Sequence, residues 1–364
     1  MGSDSCGSGW RKRVKGYAGN KYPRHLNSSE FLNLDRPLKI HQIERSGTGF
    51  QQPVNEQDLR LQLNRELSGE KIIEVTELEA GLFNNTYRVN TSRHAYILKV
   101  APRRDADVFY NERNLMQRER SISRQLQSVS PLIPEYLSFF TVGGREAFLQ
   151  PLIQGRLWHD VLFSLSEAEN AELWKQLGAF ARGLHDTSGK QFGYPAPFKG
   201  FTRWSRFIVD NVEGMVEDCR RLDVLYEEVK TYLRYLPHFL QILDQVKTPR
   251  LLHGDLWPRN VIIDGVGADI HIKAVFDGER AFWGDPASDW VMILYGVPEA
   301  FWQGYGENIL KSHDPACIAI YKGMYFILNI LEAVRFQTSD EEPRKRLWVV
   351  NKELEFRGQY THIY

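Results

Sequence analysis

The stretch LLHGDLWPRN, residues 251–260, places a histidine, an aspartate and an asparagine on one short segment. Two leucines lead into it like the end of a buried strand, and the run VII at 261–263 leads out like the start of another. A loop held between two buried strands keeps its polar side chains in fixed positions. The segment therefore predicts a rigid loop on which Asp255 and Asn260 act together.

The spacing of the acidic and amide side chains indicates a phosphoryl-transfer site. Asp255 and Asn260 form the pattern D-x-x-x-x-N, and Asp277 follows in AVFDGERAFWGDP after a hairpin whose turn is DGVGAD. Phosphoryl transfer needs an acceptor-only side chain near the attacking hydroxyl and oxygen ligands for magnesium. Asp255 suits the first role, whereas Asn260 and Asp277 suit the second. The same order of residues is known from the catalytic loop of protein kinases.

Two residues next to Asp255 have supporting roles in this interpretation. His253 is predicted to be an internal strut that pins the loop, and Gly254 is predicted to let the backbone bend. The motif H-x-D-x-x-x-x-N is weak by itself. Its position between two apolar strands, with an aspartate after the next strand, makes it much more specific.

Length and composition indicate a globular protein with two domains or two lobes. The chain has 364 residues, of which 25% are charged and 42% are apolar. Lysine plus arginine equals aspartate plus glutamate at 46 each, so bulk charge gives no reason to expect nucleic acid or an anionic membrane as a partner.

The sequence also predicts a cytoplasmic location. The three cysteines, Cys6, Cys219 and Cys317, are far apart and have no metal-ligand spacing, which is typical of a reducing compartment. No basic segment followed by an apolar core opens the sequence, so we expect no secretory signal. The most apolar stretch, MYFILNILEAV at 324–334, is interrupted by polar residues and is too short to span a bilayer.

Changes in composition and periodicity divide the chain into three parts. Residues 1–55 lack periodicity and predict a flexible or loosely docked N-terminal extension, with a basic partner-binding arm as the alternative. Residues 56–154 predict a sheet-rich nucleotide-binding lobe. Residues 155–364 predict a larger helical lobe that contains the catalytic loop, the metal site and the acceptor site.

Periodicity and turn residues also predict the individual elements of both lobes. The predicted elements are a helix with Leu59, Leu63 and Leu67 on one face, three strands within 71–102, a long helix over 106–128, two strands around Gly143-Gly144, a helix opened by Ser166 and Glu169 as a capping box, and one or two helices within 202–246.

Several of these segments together resemble the aminoglycoside phosphotransferase family, the small-molecule kinases of the protein-kinase-like fold. The blocks LLHGDLWPRNVIID and IKAVFDGERAFWGDPASDW are similar to the family's signature, and VTELEAGLFNNTYRVNTSRHAYILKV and LGAFARGLHDT fit its earlier motifs. The resemblance covers roughly residues 56–340. It implies a bilobal α+β fold, with ATP or GTP as donor and Mg²⁺ as cofactor. Fructosamine and choline kinases share this core.

The resemblance implies roles for residues of the first lobe. Lys99 would contact the nucleotide phosphates, and Glu119 on the long helix would pair with Lys99. Glu112, one heptad earlier, is the runner-up for that pair. Backbone groups of Pro151 and Leu152 would meet the purine edge, where proline offers only its carbonyl.

The nucleotide loop of this chain departs from the protein-kinase pattern. AGLFNNTY has one glycine where protein kinases have three, so phosphate contact must depend on Asn84, Asn85 or Thr86, and we expect Asn85 to bind the nucleotide. Asp277 is followed by Gly-Glu and not by Phe-Gly, which is ordinary in the small-molecule branch.

Other polar and aromatic residues have structural interpretations beside functional ones. Asp285 before a proline is read as a helix N-cap, His185 as a buried strut, and Asp289 as a brace of the catalytic loop. Trp283 is read first as core packing. The segment 202–246 is predicted to form the acceptor wall, and its residues available for stacking are Trp204, Tyr226, Tyr232 and Tyr235. Its acidic residues are interpreted either as a solvated helix face or as a wall for a cationic acceptor; they are Asp210, Glu213, Glu217 and Asp218.

The sequence therefore predicts an ATP- or GTP-dependent phosphotransferase acting on a hydroxyl of a small polar molecule. The resemblance ranks an aminoglycoside antibiotic first. The alternatives are a fructosamine-type kinase acting on glycated amines or proteins, and a non-catalytic nucleotide-binding homologue. A peptide-directed kinase is disfavoured because only a few residues separate Asp277 from the GDP turn, which leaves no room for a long activation segment. The predicted partner is a small-molecule acceptor, with no nucleic acid and no membrane.

Overall fold

The structure is a computed structural model that describes residues 38–45, 50–79, 83–289 and 291–358. The chain divides into two compact units, Met1–Lys39 and Ile40–Tyr364, and the following description concerns the second.

The first half of this unit is built on a six-stranded sheet. Its strand order is β1-β2-β3-β4-β6-β5. The ladders between β2 and β3, β3 and β4, β4 and β6, and β5 and β6 are antiparallel. The strands are β1 (Lys39–His41), β2 (Ile72–Leu78), β3 (Asn85–Thr91), β4 (Ala95–Val100), β5 (Ser138–Val142) and β6 (Arg145–Pro151), and two helices accompany them, α1 (Glu56–Glu66) and α2 (Leu115–Val129).

The sequence patterns of this half are largely confirmed. Helix α1 begins after Asn55, whose side chain caps it, and it buries Leu59 and Leu63. The hairpin between β5 and β6 turns at Gly143 and Gly144, which both have positive φ.

Helix α2 begins later than predicted. The predicted helix covered 106–128, but the structure has a short 3₁₀ turn at Tyr110–Glu112 and then α2 from Leu115. Asn114 between them has φ of 61°, a left-handed conformation that an α-helix cannot pass through. Glycine and proline are absent from the segment, so the sequence carried no ordinary sign of this break.

The second half is mainly helical and contains two small sheets. One sheet joins β7 (Arg156–Leu157), β9 (Val261–Asp264) and β10 (His271–Val275) in the order β10-β9-β7, and the other pairs β8 (Arg250–Leu252) with β11 (Phe282–Gly284). The helices are α3 (Trp158–Val161), α4 (Glu167–His185), α5 (Trp204–Arg221), α6 (Glu227–Tyr235), α7 (Leu240–Leu243), α8 (Glu299–Tyr305), α9 (Ile309–Ser312), α10 (Pro315–Arg335) and α11 (Glu341–Gly358). Ser166 and Glu169 form the predicted capping box of α4.

The apolar stretch 324–334 belongs to a longer helix than the sequence suggested. Helix α10 spans 21 residues and is long and apolar enough to cross a membrane by length and composition. Its side chains, however, pack into the main core cluster, with Ile320, Ile327 and Leu331 fully buried. Burial, rather than insufficient length, identifies α10 as a core helix.

Residue 154, where the change in composition predicts the boundary between the lobes, lies between β6 and β7. The predicted extension 1–55, in contrast, overlaps the sheet, because β1 lies within it and Gln42 exchanges hydrogen bonds with the backbone of Val54 at 2.9 Å. Residues 1–37, which carry most of that prediction and the basic-arm alternative, lie outside the described residues.

Candidate active site

The predicted loop between two buried strands is present and connects β8 to β9. Gly254 has φ of 75°, and a Cβ placed there would lie 2.3 Å from the carbonyl oxygen of Arg280. Both the conformation and the close approach of the Arg280 backbone require glycine. Gly254 therefore lets the chain turn sharply just before Asp255, as the sequence predicted.

The base of the loop is fixed by a buried chain of polar contacts. The backbone N–H of Gly254 donates to Asp289 Oδ1 at 3.3 Å, and His185 Nε2 lies 3.1 Å from Asp289 Oδ2. On its other side, His185 Nδ1 lies 2.9 Å from the hydroxyl of Tyr305. These contacts confirm Asp289 as a brace and His185 as a strut.

His253 is a fully buried part of the same base. Its ring lies edge-on to Phe180, with centroids 6.4 Å apart. Burial lowers the pKa of His253 to about 4, against opposing effects of Asp289 and the Phe276 backbone. A neutral, buried imidazole suits the predicted internal strut and not a proton-transfer group.

The structure brings Asp255 and Asn260 into direct contact. Asn260 Nδ2 donates to the backbone carbonyl of Asp255 at 2.8 Å and to its carboxylate at 3.0 Å. Burial raises the pKa of Asp255 to about 6, while the nearby charge of Arg280 and the hydrogen bond from Asn260 act in the opposite direction. A carboxylate with this pKa is well suited to accept a proton near neutral pH.

Lys99 and Asp277, far apart in the sequence, form an ion pair in the cleft between the two halves. Lys99 lies on β4 and its side chain is largely buried, whereas Asp277 follows β10 in a left-handed conformation, with φ of 65°. Carboxylate oxygens of Asp277, Glu119 and Glu279 lie within 4.8 Å of one another. Cationic and anionic groups for a nucleotide and its metal therefore meet at one place.

The predicted partner of Lys99 on the long helix is close but bonded elsewhere. Glu119 is buried and accepts a hydrogen bond of 2.6 Å from Tyr136. Burial raises the pKa of Glu119 to about 7, and the charge of Lys99 opposes that rise. Among the described residues Lys99 pairs with Asp277 and not with Glu119. The runner-up, Glu112, forms an ion pair with Arg335.

The predicted nucleotide contact of Asn85 is not supported. Its amide nitrogen donates to Glu77 at 2.6 Å and its amide oxygen accepts from Arg145 at 2.5 Å, so both ends are used in a buried network. Asn84, one residue earlier, points towards the second half and donates to Glu279 at 2.9 Å. Asn85 is the first residue of β3 and Asn84 precedes the strand, and of the two only Asn84 contacts a residue of the carboxylate cluster.

The backbone of the predicted purine-binding segment is partly committed to the sheet. Pro151 is the last residue of β6 and is paired with Tyr96. The N–H of Leu152 donates to the carbonyl of Ala95 at 2.9 Å. The predicted purine contact at Leu152 therefore cannot use this N–H without breaking a sheet hydrogen bond, whereas the carbonyls of Pro151 and Leu152 are not limited in this way.

The residues predicted to stack on an acceptor lie in the core or at its edge. Trp204 and Tyr232 are fully buried, and their polar atoms donate to Tyr321 and to the Ile320 carbonyl. Tyr226 packs under Arg344, with the guanidinium carbon 4.0 Å from its ring centre. The predicted stacking role of Trp204 and Tyr232 is therefore wrong, because helical periodicity at these two positions marks the core.

The predicted acidic wall is also engaged in structural contacts. Asp210 contacts the Tyr110 hydroxyl and Lys199, and Asp218 accepts from the Tyr110 backbone N–H at 2.6 Å. Glu217 pairs with Arg220 on the exposed surface of α5. These carboxylates do not line the cavity that adjoins the catalytic loop. The interpretation as a solvated helix face fits Glu217, whereas Asp218 is buried.

Asp285 has the predicted capping role and an additional buried one. Its Oδ1 accepts from the N–H of Ala287 at 3.1 Å, with Pro286 at the first position of the following 3₁₀ turn. Its Oδ2 accepts from the Tyr321 hydroxyl at 2.6 Å and lies 2.6 Å from His313 Nε2. The additional contacts come from Tyr321 on α10 and from His313 just before it, and could not be read from the local sequence.

A cavity beside the catalytic loop was not predicted from the sequence. Gly254 and Arg280 form part of its wall next to Asp255. Arg118 of α2 enters it from the opposite side. Glu279 is a further residue that the sequence reading passed over, although its position two residues after Asp277 was a usable sign. The remaining lining residues are Asn111, Tyr194, Phe207, Asn211, Met215, Phe282, Met324, Tyr325 and Leu328.

The architecture is mixed α+β, with a sheet-rich first half and a helical second half. Together with a lysine, two aspartates and an asparagine in the cleft, it defines a kinase-like phosphotransferase. Residues 74–322 match the model of the phosphotransferase enzyme family APH, which covers more than half of the chain. The chain belongs to this family.

Solved structures of the same fold include aminoglycoside kinases. Aminoglycoside phosphotransferase APH(4)-Ia has a TM-score of 0.58 and 16% identity, over 82% of this chain and 99% of that one. The GDP complex of an aminoglycoside 2′-phosphotransferase-IIIa mutant has a TM-score of 0.57 and 18% identity, over 83% and 98%. At these identities the likeness establishes the fold alone.

Relatives identified by sequence similarity are named for an activity other than aminoglycoside phosphorylation. A probable ketoamine kinase of Enterococcus faecium is 26% identical over 57% of this chain and 71% of its own length. A probable ketoamine kinase of Lactiplantibacillus plantarum is 25% identical over 64% and 79%. These relatives correspond to the fructosamine-type alternative.

Proposed function

We propose that the protein transfers the γ-phosphoryl group of ATP to a hydroxyl group of a ketoamine, the adduct of a sugar with an amine. The observation that carries the proposal is that the Asn260–Asp255 pair of the catalytic loop and the Lys99–Asp277 ion pair lie side by side. The backbone N–H of Phe276, next to Asp277, donates to the Asn260 carbonyl at 3.0 Å and joins the two pairs. In the reaction the acceptor oxygen forms a bond to the γ-phosphorus, the bond to the β–γ bridging oxygen breaks, and ADP leaves.

Asp255 is the residue we assign to the acceptor hydroxyl. Its carboxylate receives the hydroxyl proton as the new P–O bond forms. The bond from Asn260 holds one carboxylate oxygen in a fixed direction and leaves the other free. The close backbone turn at Gly254 and the contact to Asp289 keep the loop from drifting, which matters because transfer depends on alignment.

The donor set of the cleft fits a magnesium–nucleotide complex. The amide nitrogen of Asn260 is used twice on Asp255, which leaves its amide oxygen for a cation. Asp277 supplies a carboxylate, and Glu119 has a buried carboxylate oxygen without a hydrogen-bond partner among the described residues. Bound magnesium would neutralise phosphate charge. Lys99 is placed to exchange its contact with Asp277 for the phosphates.

The ketoamine class is preferred over the aminoglycoside class for two reasons. The relatives found by sequence are probable ketoamine kinases, whereas the aminoglycoside kinases share the fold at 16–18% identity. Aminoglycosides are polycations, and the described cavity beside Asp255 is lined by two arginines without any Asp or Glu. A cationic acceptor would meet like charge there.

A panel assay tests the proposal. ADP release is measured with the full-length protein, ATP and Mg²⁺, using fructosyl-glycine, a set of aminoglycosides, glycated lysozyme and unmodified lysozyme as acceptors. We expect turnover with fructosyl-glycine that depends on Asp255. Turnover confined to aminoglycosides or to unmodified protein would contradict the proposed class, and no turnover on any acceptor would favour the non-catalytic alternative.

A further inference from the structure

The cavity beside the catalytic loop has an unusual charge balance. The side chains around it are mostly aromatic or aliphatic, and its charged residues are Arg118 and Arg280. No aspartate or glutamate is among the residues that line it. A positively charged, mostly apolar pocket next to Asp255 calls for an explanation, because a buried charge is costly unless it is paired.

Arg118 is the buried cation of this pocket. It is only 4% exposed, and its guanidinium carbon lies 3.4 Å from the ring centre of Tyr194. One guanidinium nitrogen donates to the Asn111 carbonyl at 2.9 Å, but the buried Nε has no hydrogen-bond partner among the described residues. Within that same part of the chain no carboxylate pairs with Arg118. Burial, together with the like charge of Arg280, lowers the pKa of this guanidinium.

Arg280 lies on the catalytic-loop side of the pocket. Its carbonyl packs against Gly254, and its charge is the main influence that opposes the burial-driven rise in the pKa of Asp255. Neighbouring carboxylates, Asp255 first and then Glu332, favour its charged form against the effect of burial. None of them forms an ion pair with it over the described ranges. Arg280 is therefore supported by nearby carboxylates, whereas the charge of Arg118 is supported only by the Tyr194 and Tyr110 side chains.

The other polar groups that line the pocket are largely satisfied within the protein. Tyr325 donates to the Ser288 carbonyl at 2.9 Å, and Tyr194 donates to Asn211 at 3.1 Å. The amide oxygen of Asn111 is buried and, like Arg118 Nε, has no partner among the described residues. The pocket therefore offers one unused cationic donor and one unused acceptor.

We propose that this pocket binds a carboxylate group of the acceptor, held by Arg118 with Arg280 beside it, while an acceptor hydroxyl donates to Asn111. This inference rests on the proposed function, since it names the chemical class of acceptor for the same site. Guanidinium groups bind carboxylates through two parallel hydrogen bonds. One negative charge matches the single uncompensated charge of Arg118, whereas a doubly charged phosphate would add repulsion beside Asp255.

The test compares two acceptors that differ only in this charge. Binding of fructosyl-glycine and of its neutral amide, fructosyl-glycinamide, to the full-length protein is measured by calorimetry, in parallel with ADP release. We expect the carboxylate form to bind about tenfold or more tightly, the effect of one charge-assisted hydrogen-bonded contact. In Arg118→Gln the two ligands should bind within about twofold of each other, and Arg118→Lys should restore part of the preference.

Two controls separate this result from general damage. Arg124→Gln removes an exposed arginine from the same helix and should leave the preference unchanged. If Arg118→Gln does not fold, as judged by its Tm, Arg280→Gln provides the second variant and should also weaken the preference in binding.

The outcomes distinguish this inference from the proposed function. Turnover of both acceptors without a carboxylate preference would overturn the inference and leave the function standing. A carboxylate preference in binding without turnover would support the inference and contradict the function. Equal binding of the two ligands, no binding of either, or tighter binding of fructose 6-phosphate than of fructosyl-glycine would overturn the inference.

Discussion

Asn260 donates hydrogen bonds to both the backbone carbonyl and the carboxylate of Asp255, at 2.8 and 3.0 Å. The proposed metal ligand and the residue proposed to act on the acceptor hydroxyl are thus joined by two hydrogen bonds. In the proposed mechanism, these bonds would set the position of the metal and the direction of the attacking hydroxyl together. This coupling explains why the two residues share one short loop rather than two separate elements.

Asp255→Asn should abolish phosphoryl transfer while preserving nucleotide binding. The change keeps the shape of the side chain but removes the group that accepts the proton, and general-base loss typically costs about 10²- to 10⁴-fold in rate. The measurement is kcat for fructosyl-glycine together with Kd for ATP. A variant with parental kcat would remove Asp255 from the mechanism, and a large loss of ATP affinity would indicate a nucleotide-binding role instead.

The activity should fall as the pH drops through about 6. The pKa of Asp255 is raised to about 6, so the carboxylate is ionised above that pH and becomes protonated, and inactive as a base, below it. Arg280→Gln removes the charge that most opposes this rise, and the acid limb of kcat/KM should therefore move to higher pH.

The comparison with Arg280→Gln also identifies the titrating group. Glu119, with a pKa of about 7, titrates in the same range, but the largest effects on its pKa are burial and the charge of Lys99. An acid limb that stays in place in Arg280→Gln would assign the titration to Glu119 or to the substrate, contrary to the prediction.

Asp277→Asn should weaken magnesium-dependent nucleotide binding more than Asn260→Ala does. Asp277 brings a full negative charge to the cation and the amide oxygen only a dipole. Calorimetric titration with ATP, with and without Mg²⁺, measures the difference. If the magnesium dependence of both variants equals that of the parent, neither residue holds the metal.

The sequence identified the catalytic loop well because its signals are local. Gly254, Asp255 and Asn260 lie within seven residues, and the buried strands on both sides are read directly from apolar runs. Contacts made across the fold could not be read in this way. The Arg335 partner of Glu112 and the position of Arg118 against Tyr194 depend on how α2, α5 and α10 pack, which has no local pattern.

The acceptor wall illustrates the same limit. Trp204 and Tyr232 were predicted to stack on an acceptor because 202–246 lies where the resembled family builds its acceptor wall, but aromatic residues at helical spacing more often fill a core. The left-handed conformation of Asn114, which shortens α2, is not marked by a glycine in the sequence. Local patterns therefore predicted the loop of Asp255 and Asn260 but not the cavity beside it.

Asn85→Ala should reduce stability without changing the KM for ATP. The variant removes two buried hydrogen bonds, one to Glu77 and one from Arg145, which costs about 1–3 kcal/mol. Asn84→Ala is the matched variant, since the neighbouring amide contacts Glu279 at the site and should affect the KM for ATP. Urea unfolding and steady-state kinetics provide the two readouts. A raised KM in Asn85→Ala at unchanged stability would restore the original assignment.

Gly254→Ala should lower both stability and activity, and Gly267→Ala separates the two causes. Both glycines have positive φ, at 75° and 56°, so each substitution forces an alanine into a conformation that costs about 1–2 kcal/mol. A Cβ at Gly267 meets no atom within 4 Å, whereas at Gly254 it would lie 2.3 Å from the Arg280 carbonyl oxygen. The clash can be relieved only by moving the backbone beside Asp255.

We therefore expect Gly267→Ala to lower the free energy of unfolding by about the conformational cost alone and to keep the parental kcat. Gly254→Ala should lose more stability and most of its kcat. Equal losses of stability in the two variants, with kcat retained in both, would show that the close approach at Gly254 does not position the catalytic loop.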